Sequence, residues 1–167
     1  MTVRTRFSTL ASVPGGTPSG SPVPAGGLAT QQIALIRTSW RRLEPIRETA
    51  AALFYRRLFE LDPSLGRLFR GDMAEQGRKL MAMLGAVVSQ LHRLGDVVPA
   101  VEALGRRHAT YGVEDAHYDT VGAALLGALR AGLGDGLTSE AEDAWATAYG
   151  TLADVMKRAA RDERAGI

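Results

Sequence analysis

One stripe constrains this chain more than any other. Val97, Val101, Leu104 and His108 recur at steps of four, three and four, the spacing of one helical face. The fourth member is an imidazole. A polar ring on a face meant for burial needs a partner. A carbonyl or hydroxyl can satisfy it, or it can hold a metal. The pattern predicts that one helix ends near His108, weakly formed around Pro99 and Gly105. After a short connection, Asp115 caps the next.

The same period runs through everything from Thr30 onward. Ile33, Ile36, Trp40 and Leu43 make a first stripe, and Pro45 suits the first turn of a second helix carrying Ala50, Leu53, Phe54, Leu58 and Leu61. Asp62-Pro63 opens a short turn ending at Leu68-Phe69, and Gly71 breaks the chain. Asp72 with Glu75 resembles a capping box for a helix running to about Leu91, and Gly95 ends that region. Tyr118, Val121, Leu125 and Leu129 mark a further helix, terminated by Gly132, Gly134 and Gly136. Ser139 with Glu142 opens the last, which buries Trp145, Ala148, Tyr149, Leu152 and Met156. No strand pattern competes, so the fold class is all-α. Residues 1–28, with Pro14, Pro18, Pro22 and Pro24 among glycines and serines, read as a disordered tail. They carry Arg4 and Arg6 and no acid, like a transit segment, but lack an amphipathic helix and an apolar signal core. Residues 29–161 form one domain, and 162–167 a polar C-terminal tail. The expected location is cytoplasmic.

Composition removes several kinds of chemistry. Without cysteine there is no disulfide framework, thiolate metal site or cysteine nucleophile. The net charge is +2, and the arginines are interspersed with acids, so no nucleic-acid stripe is expected. No run approaches the roughly 18 apolar residues of a membrane span.

Three polar residues interrupt the apolar pattern. Gln76 falls in the stripe Met73, Gln76, Leu80, Leu84, Val87 and Leu91; Tyr55 lies beside Phe54; His108 is the third. Taken singly, Gln76 reads as an interfacial glutamine and Tyr55 as an amphipathic aromatic with a wet hydroxyl. Together they offer one metal-ligating imidazole and two hydrogen-bond donors, a set that suits a cofactor metal holding a diatomic ligand. A bare zinc site would need three or four ligands. His92 lies at a fraying helix end, and His117, off the apolar stripe, is expected to face water. One imidazole is enough for haem, whose porphyrin supplies four ligands.

From Gln31 to Arg158 the sequence resembles a bacterial single-domain globin of the flavohaemoglobin-like class. The matching residues are Ser39-Trp40, Leu53-Phe54-Tyr55, Pro63 to Leu68-Phe69 and Gln76 to Met81. They continue with Leu104 to His108, Tyr111-Gly112-Val113, His117-Tyr118, Val121-Gly122, Leu125-Leu126, Trp145 and Tyr149-Gly150. The resemblance implies a globin fold of six to seven helices around a non-covalently held haem b (iron protoporphyrin IX). His108 would be the proximal ligand and Tyr118 its support, with Phe69 wedged against the porphyrin. Phe54, Leu80, Leu104, Val113 and Val121 would line the cofactor. Tyr55 and Gln76 would be the distal pair donating to oxygen. Lys79 and Arg107 would pair with the propionates, unless they are plain surface charge. One departure concerns the proximal side: where flavohaemoglobins place a late glutamate against the proximal histidine, this chain has Ala160, with Glu163 beyond it in a fraying tail.

Two functions follow from the resemblance. One is oxidation of nitric oxide to nitrate with electrons from a separate reductase. The other is oxygen storage, delivery or sensing without catalysis. Oxygen, nitric oxide and carbon monoxide would be the small ligands, and the chain a monomer or weak dimer. A haem-free helical regulator would satisfy the periodicity but leaves the three polar residues unexplained together.

Overall fold

Helices with one apolar stripe each must bury it against one another, and six among the described residues do so. In a computed structural model that describes residues 27–166, they are α1 (Thr30–Leu43), α2 (Arg47–Leu61), α3 (Met73–Ser89), α4 (Leu94–Thr110), α5 (Asp115–Leu133) and α6 (Ser139–Ala165). Short 3-10 turns at Glu44–Ile46, Pro63–Leu68, Leu91–Arg93 and Gly134–Gly136 join them, with no strand among the described residues. The tail assigned to residues 1–28 lies outside the described residues up to 26. Leu28, grouped with it, packs on the core.

α4 lies along α6, α2 along α5, and α1 crosses α6, while α3 rests on α2. Ile36, Leu58 and Leu129 are fully enclosed at the centre. Trp40 and Trp145 meet with ring centroids 6.2 Å apart. The Trp145 indole donates to the buried Ser39 hydroxyl at 2.8 Å, which explains a serine on an apolar stripe. α3 and α4 scarcely touch.

Several boundaries differ from expectation. Asp62 and Asp72 cap as expected, accepting from the Ser64 and Ala74 amides at 3.0 and 2.8 Å. Glu75 pairs with Lys79. α3 ends at Ser89, close to the expected Leu91, which opens a 3-10 turn instead. Gly95 ends nothing: it lies in the first turn of α4, which runs unbroken through Pro99 and Gly105. Packing against α6 holds that helix despite its two weak formers. Asp115 and Ser139 are first helical residues, not caps. The N-caps are Glu114 and Thr138, each extended, and the Thr138 hydroxyl accepts from the Ala141 amide at 3.1 Å. α5 passes through Gly132 and ends before Gly134, whose φ is 52°. α6 continues to Ala165, so Glu163 is helical and not in a fraying tail.

Candidate functional site

His108 occupies the last turn of α4, and the backbone after it folds back onto it. The Tyr111 and Val113 amides donate to the His108 carbonyl at 3.1 and 3.0 Å. Gly112 makes the reversal with φ +85°, a conformation that side chains other than glycine rarely adopt. One turn earlier, Gly105 lies against α6 so closely that a β-carbon there would stand 2.5 Å from the Met156 carbonyl oxygen. The glycine that weakens the helix on propensity is the one that lets it dock.

The His108 Nδ1 is buried and makes no well-formed hydrogen bond, with only the Leu104 carbonyl of its own helix acting on the ring as an acceptor. Burial pushes its pKa below the ordinary histidine range; the Leu104 carbonyl opposes that shift and the Arg107 charge adds to it. The result is a neutral imidazole, the form that ligates a metal. Its ring stacks on Tyr118 with centroids 6.4 Å apart and planes 25° apart. Tyr118 is buried, its hydroxyl also lacks a partner, and burial, then Asp115, raise its pKa. Both polar atoms thus lack a well-formed bond, and Ala160, at the late α6 position where the resemblance leads one to expect a glutamate, is buried and offers only a methyl.

A second cluster forms on α2 and α3. Tyr55 is buried, and its ring meets Phe54, Phe59 and Phe69 at 5.0, 6.1 and 5.3 Å. Its hydroxyl donates to the Gln76 carbonyl at 3.4 Å, and burial raises its pKa. The Gln76 amide donates to the Arg70 carbonyl at 3.5 Å. Both bonds are at the long limit, so both donors are weakly engaged. Phe54 and Leu80 lie behind them, around a small void of about 10 Å³.

The structure therefore brings Tyr55, Gln76 and Phe69 together in one cluster, and His108 with Tyr118 in another. Gln76, Leu80 and Leu84 on α3 and Val97, Leu104 and His108 on α4 are all only half-buried, on helices that scarcely touch. A flat apolar macrocycle fits that arrangement of stripes. Val113 and Val121 are half-buried, and Val121 packs against the core. Lys79 and Arg107 are exposed, and Lys79 pairs with Glu75 at 3.4 Å.

His117 corrects an expectation. It is buried, not facing water, because its Nδ1 accepts the Glu114 amide at 2.9 Å and closes the first turn of α5. The His92 Nδ1 lies 3.0 Å from Arg37. No group of three histidine, aspartate or glutamate residues able to hold a bare metal ion occurs among the described residues. A separate cleft of about 770 Å³, which the sequence did not announce, is lined by Trp40, Ala51, Gly77, Met81 and Gly85, with Tyr55 in its wall. It is built by small residues on α2 and α3, and His108 takes no part in it.

Residues 52–156 match the Globin family, a span that contains both clusters. The chain is a globin. Its relatives include the flavohemoprotein of Bordetella parapertussis, 33% identical over 132 residues, which are 77% of this chain and 33% of that protein. The flavohemoprotein of Bacillus subtilis is 31% identical over the same shares. This globin therefore spans about a third of the length of the relatives it matches. A bacterial globin from Campylobacter jejuni superposes with a TM-score of 0.71 at 23% identity, covering 82% of this chain and 99% of that one. A hexacoordinated heme protein from an anhydrobiotic tardigrade gives 0.74 at 17% identity, covering 84% and 99%. At those identities the likeness is one of fold. The globin has no helix long and apolar enough to cross a membrane among its described residues.

Sequence reasoning missed how α6 takes part. Arg161 and Arg164 reach residues 46 and 51 positions away, and Tyr149 reaches Tyr118. No local pattern announces pairs so far apart.

Proposed function

We propose that this globin holds one haem b non-covalently between α3 and α4, with His108 as the proximal ligand, and uses it to bind oxygen tightly. The observation that carries the reading is the half-buried, neutral imidazole of His108, stacked on Tyr118 at one end of an otherwise apolar stripe. When bound, haem would supply an iron able to take a diatomic gas, with His108 as the residue that would hold it. His108 holds its ring in one orientation through the backbone turn that follows it. Phe69, Phe54, Leu80, Leu104, Val113 and Val121 exclude water. Tyr55 and Gln76, whose carbonyl contacts are weak, would be the donors available to a diatomic ligand, and would favour one that carries negative charge, as oxygen does more than carbon monoxide. Lys79 and Arg107, both exposed, would be the cations available to pair with the propionates.

A second reading, oxidation of nitric oxide to nitrate with a separate reductase, is favoured by the same two donors, which would retain oxygen until nitric oxide arrives. The proximal side weighs against it. With Ala160 in place of a carboxylate, nothing accepts the His108 Nδ1 proton strongly, and the imidazole remains a modest electron donor.

The absorption spectrum of the protein with haem, oxidised, reduced and exposed to oxygen, tests this reading. His108→Ala should lose haem or need added imidazole to keep it. A normal spectrum in that variant, with loss in His92→Ala or His117→Ala instead, would overturn the ligand assignment.

A further inference from the structure

Three side chains of α6 reach the six residues 113–118 that immediately follow the His108 turn. Arg161 donates to a single Asp115 oxygen, Oδ2, through Nε at 3.1 Å and Nη2 at 2.9 Å. Arg164 donates to the Val113 carbonyl at 2.8 Å through Nη2, while its Nη1 lies 3.9 Å from Asp115 Oδ1. The Tyr149 hydroxyl donates to the Tyr118 carbonyl at 2.6 Å. From the other end of the same short segment, the Val113 amide holds the His108 carbonyl at 3.0 Å. A continuous chain of bonds therefore runs from the Arg164 guanidinium, through both polar atoms of the Val113 backbone, to the residue that carries the imidazole. Asp115 is engaged by two arginines, and Tyr118, one turn on from it, stacks against the imidazole.

We propose that Arg161 and Arg164, acting through Asp115 and the Val113 carbonyl, are positioning residues for His108. This rests on His108 being the haem ligand. The physical argument is one of restraint. His108 Nδ1 makes no well-formed hydrogen bond, and the one backbone acceptor that acts on the ring is the Leu104 carbonyl of its own helix, so no side chain orients the imidazole as commonly happens for a ligating histidine. Beyond that local contact, its restraint comes from the backbone on its C-terminal side and the Tyr118 ring, and both are tied to α6. Exposed ion pairs contribute little to global stability. These two guanidiniums are half-exposed, with 58% and 45% of their side-chain surface free, so their main effect falls on the geometry of the turn and not on the fold.

The experiment compares the haem-loaded wild type with Arg164→Ala, Arg164→Lys and Asp115→Asn. Haem loss to an excess of apomyoglobin gives one readout, and the iron–histidine stretch in the reduced, ligand-free protein gives another. Melting of each protein without haem serves as the control. Arg164→Ala and Asp115→Asn should speed haem loss at least about fivefold, roughly 1 kcal/mol at 1.4 kcal/mol per decade, and shift or broaden the stretch. Arg164→Lys, which keeps one donor for the Val113 carbonyl, should fall between them and the wild type. Melting without haem should move by no more than a few degrees. Unchanged loss rates and an unchanged stretch would overturn the proposal. So would faster loss matched by a proportionate fall in melting, which would make the arginines merely structural. A wild type and His108→Ala with identical haem spectra would instead overturn the ligand assignment, separately from the clamp.

Discussion

The two sides of the site are held in opposite ways. On the α4–α6 side, His108 follows a glycine pressed onto the Met156 backbone and precedes a turn whose amides return to its own carbonyl. On the α2–α3 side, Tyr55 and Gln76 are held by hydrogen bonds of 3.4 and 3.5 Å, and Tyr55 shares a wall with a cleft of about 770 Å³. One side is fixed by backbone contacts, which cannot yield without moving a helix. The other is set by side chains, which can reorient at small cost. A ligand that must stay and a ligand that must come and go make these contrasting demands.

The sharpest way to break the comparison is at Gly105. Gly105→Ala puts a β-carbon 2.5 Å from a backbone oxygen, so α4 must shift away from α6. Overpacking of this kind costs about 1–3 kcal/mol. For a domain of this size, the melting temperature should fall by about 2–10 °C, as calorimetry or circular dichroism would record. If Gly105→Ala melts like the wild type, the α4–α6 side is as pliable as the other.

Next in size are the two donors. A hydrogen bond to a charged acceptor contributes about 1.5–3 kcal/mol, so Tyr55→Phe should release oxygen at least about tenfold faster in stopped flow. Carbon monoxide release should change far less. Gln76→Leu should act in the same direction, and the double variant should be non-additive, because the donors share one acceptor. Equal effects on both gases would mean steric gating in place of hydrogen bonding.

The smallest effect concerns alkaline pH. Burial raises the Tyr55 pKa above the ordinary 10.0. In the unfolded chain the phenol ionises near its ordinary value, while in the native state it remains protonated. Stability contributed by the neutral Tyr55 is therefore fully present below pH 10 and lost as pH rises through the native pKa. Tyr55→Phe should reduce the fall in melting temperature between pH 9 and pH 11. An unchanged slope would show that the phenol ionises freely and that the α2–α3 side is open to water.

Much of this organisation is legible in the order of the residues. The stripes mark six helices, and Asp62 and Asp72 cap where their side chains and the following residues require. Elsewhere two neighbouring polar residues both suit a cap, as Glu114 with Asp115 and Thr138 with Ser139 do, and only the backbone chooses between them. Gly95 and Pro99 read as breakers because propensity is local, while α4 survives through its contact with α6. His117 reads as exposed because it lies off the stripe, yet a cap bond to the Glu114 amide buries it. The polar intruders Tyr55, Gln76 and His108 stand out because each breaks an apolar period. The α6 arginines do not, since charged residues on a long polar face are the expected background.

The sequence by itself determined the secondary structure and the chemical inventory of the site, because helical period and residue type are properties of neighbours along the chain. Tertiary structure alone decided how that inventory is held. Whether Gly105 is a weak point or a docking point depends on Met156 being opposite. Whether Arg161 and Arg164 are surface charge or restraints depends on Asp115 and Val113 coming within reach across some fifty residues. Such pairings arise only when α6 closes over α4 and α5, and burying their apolar faces drives that closure without reference to the polar groups it brings together.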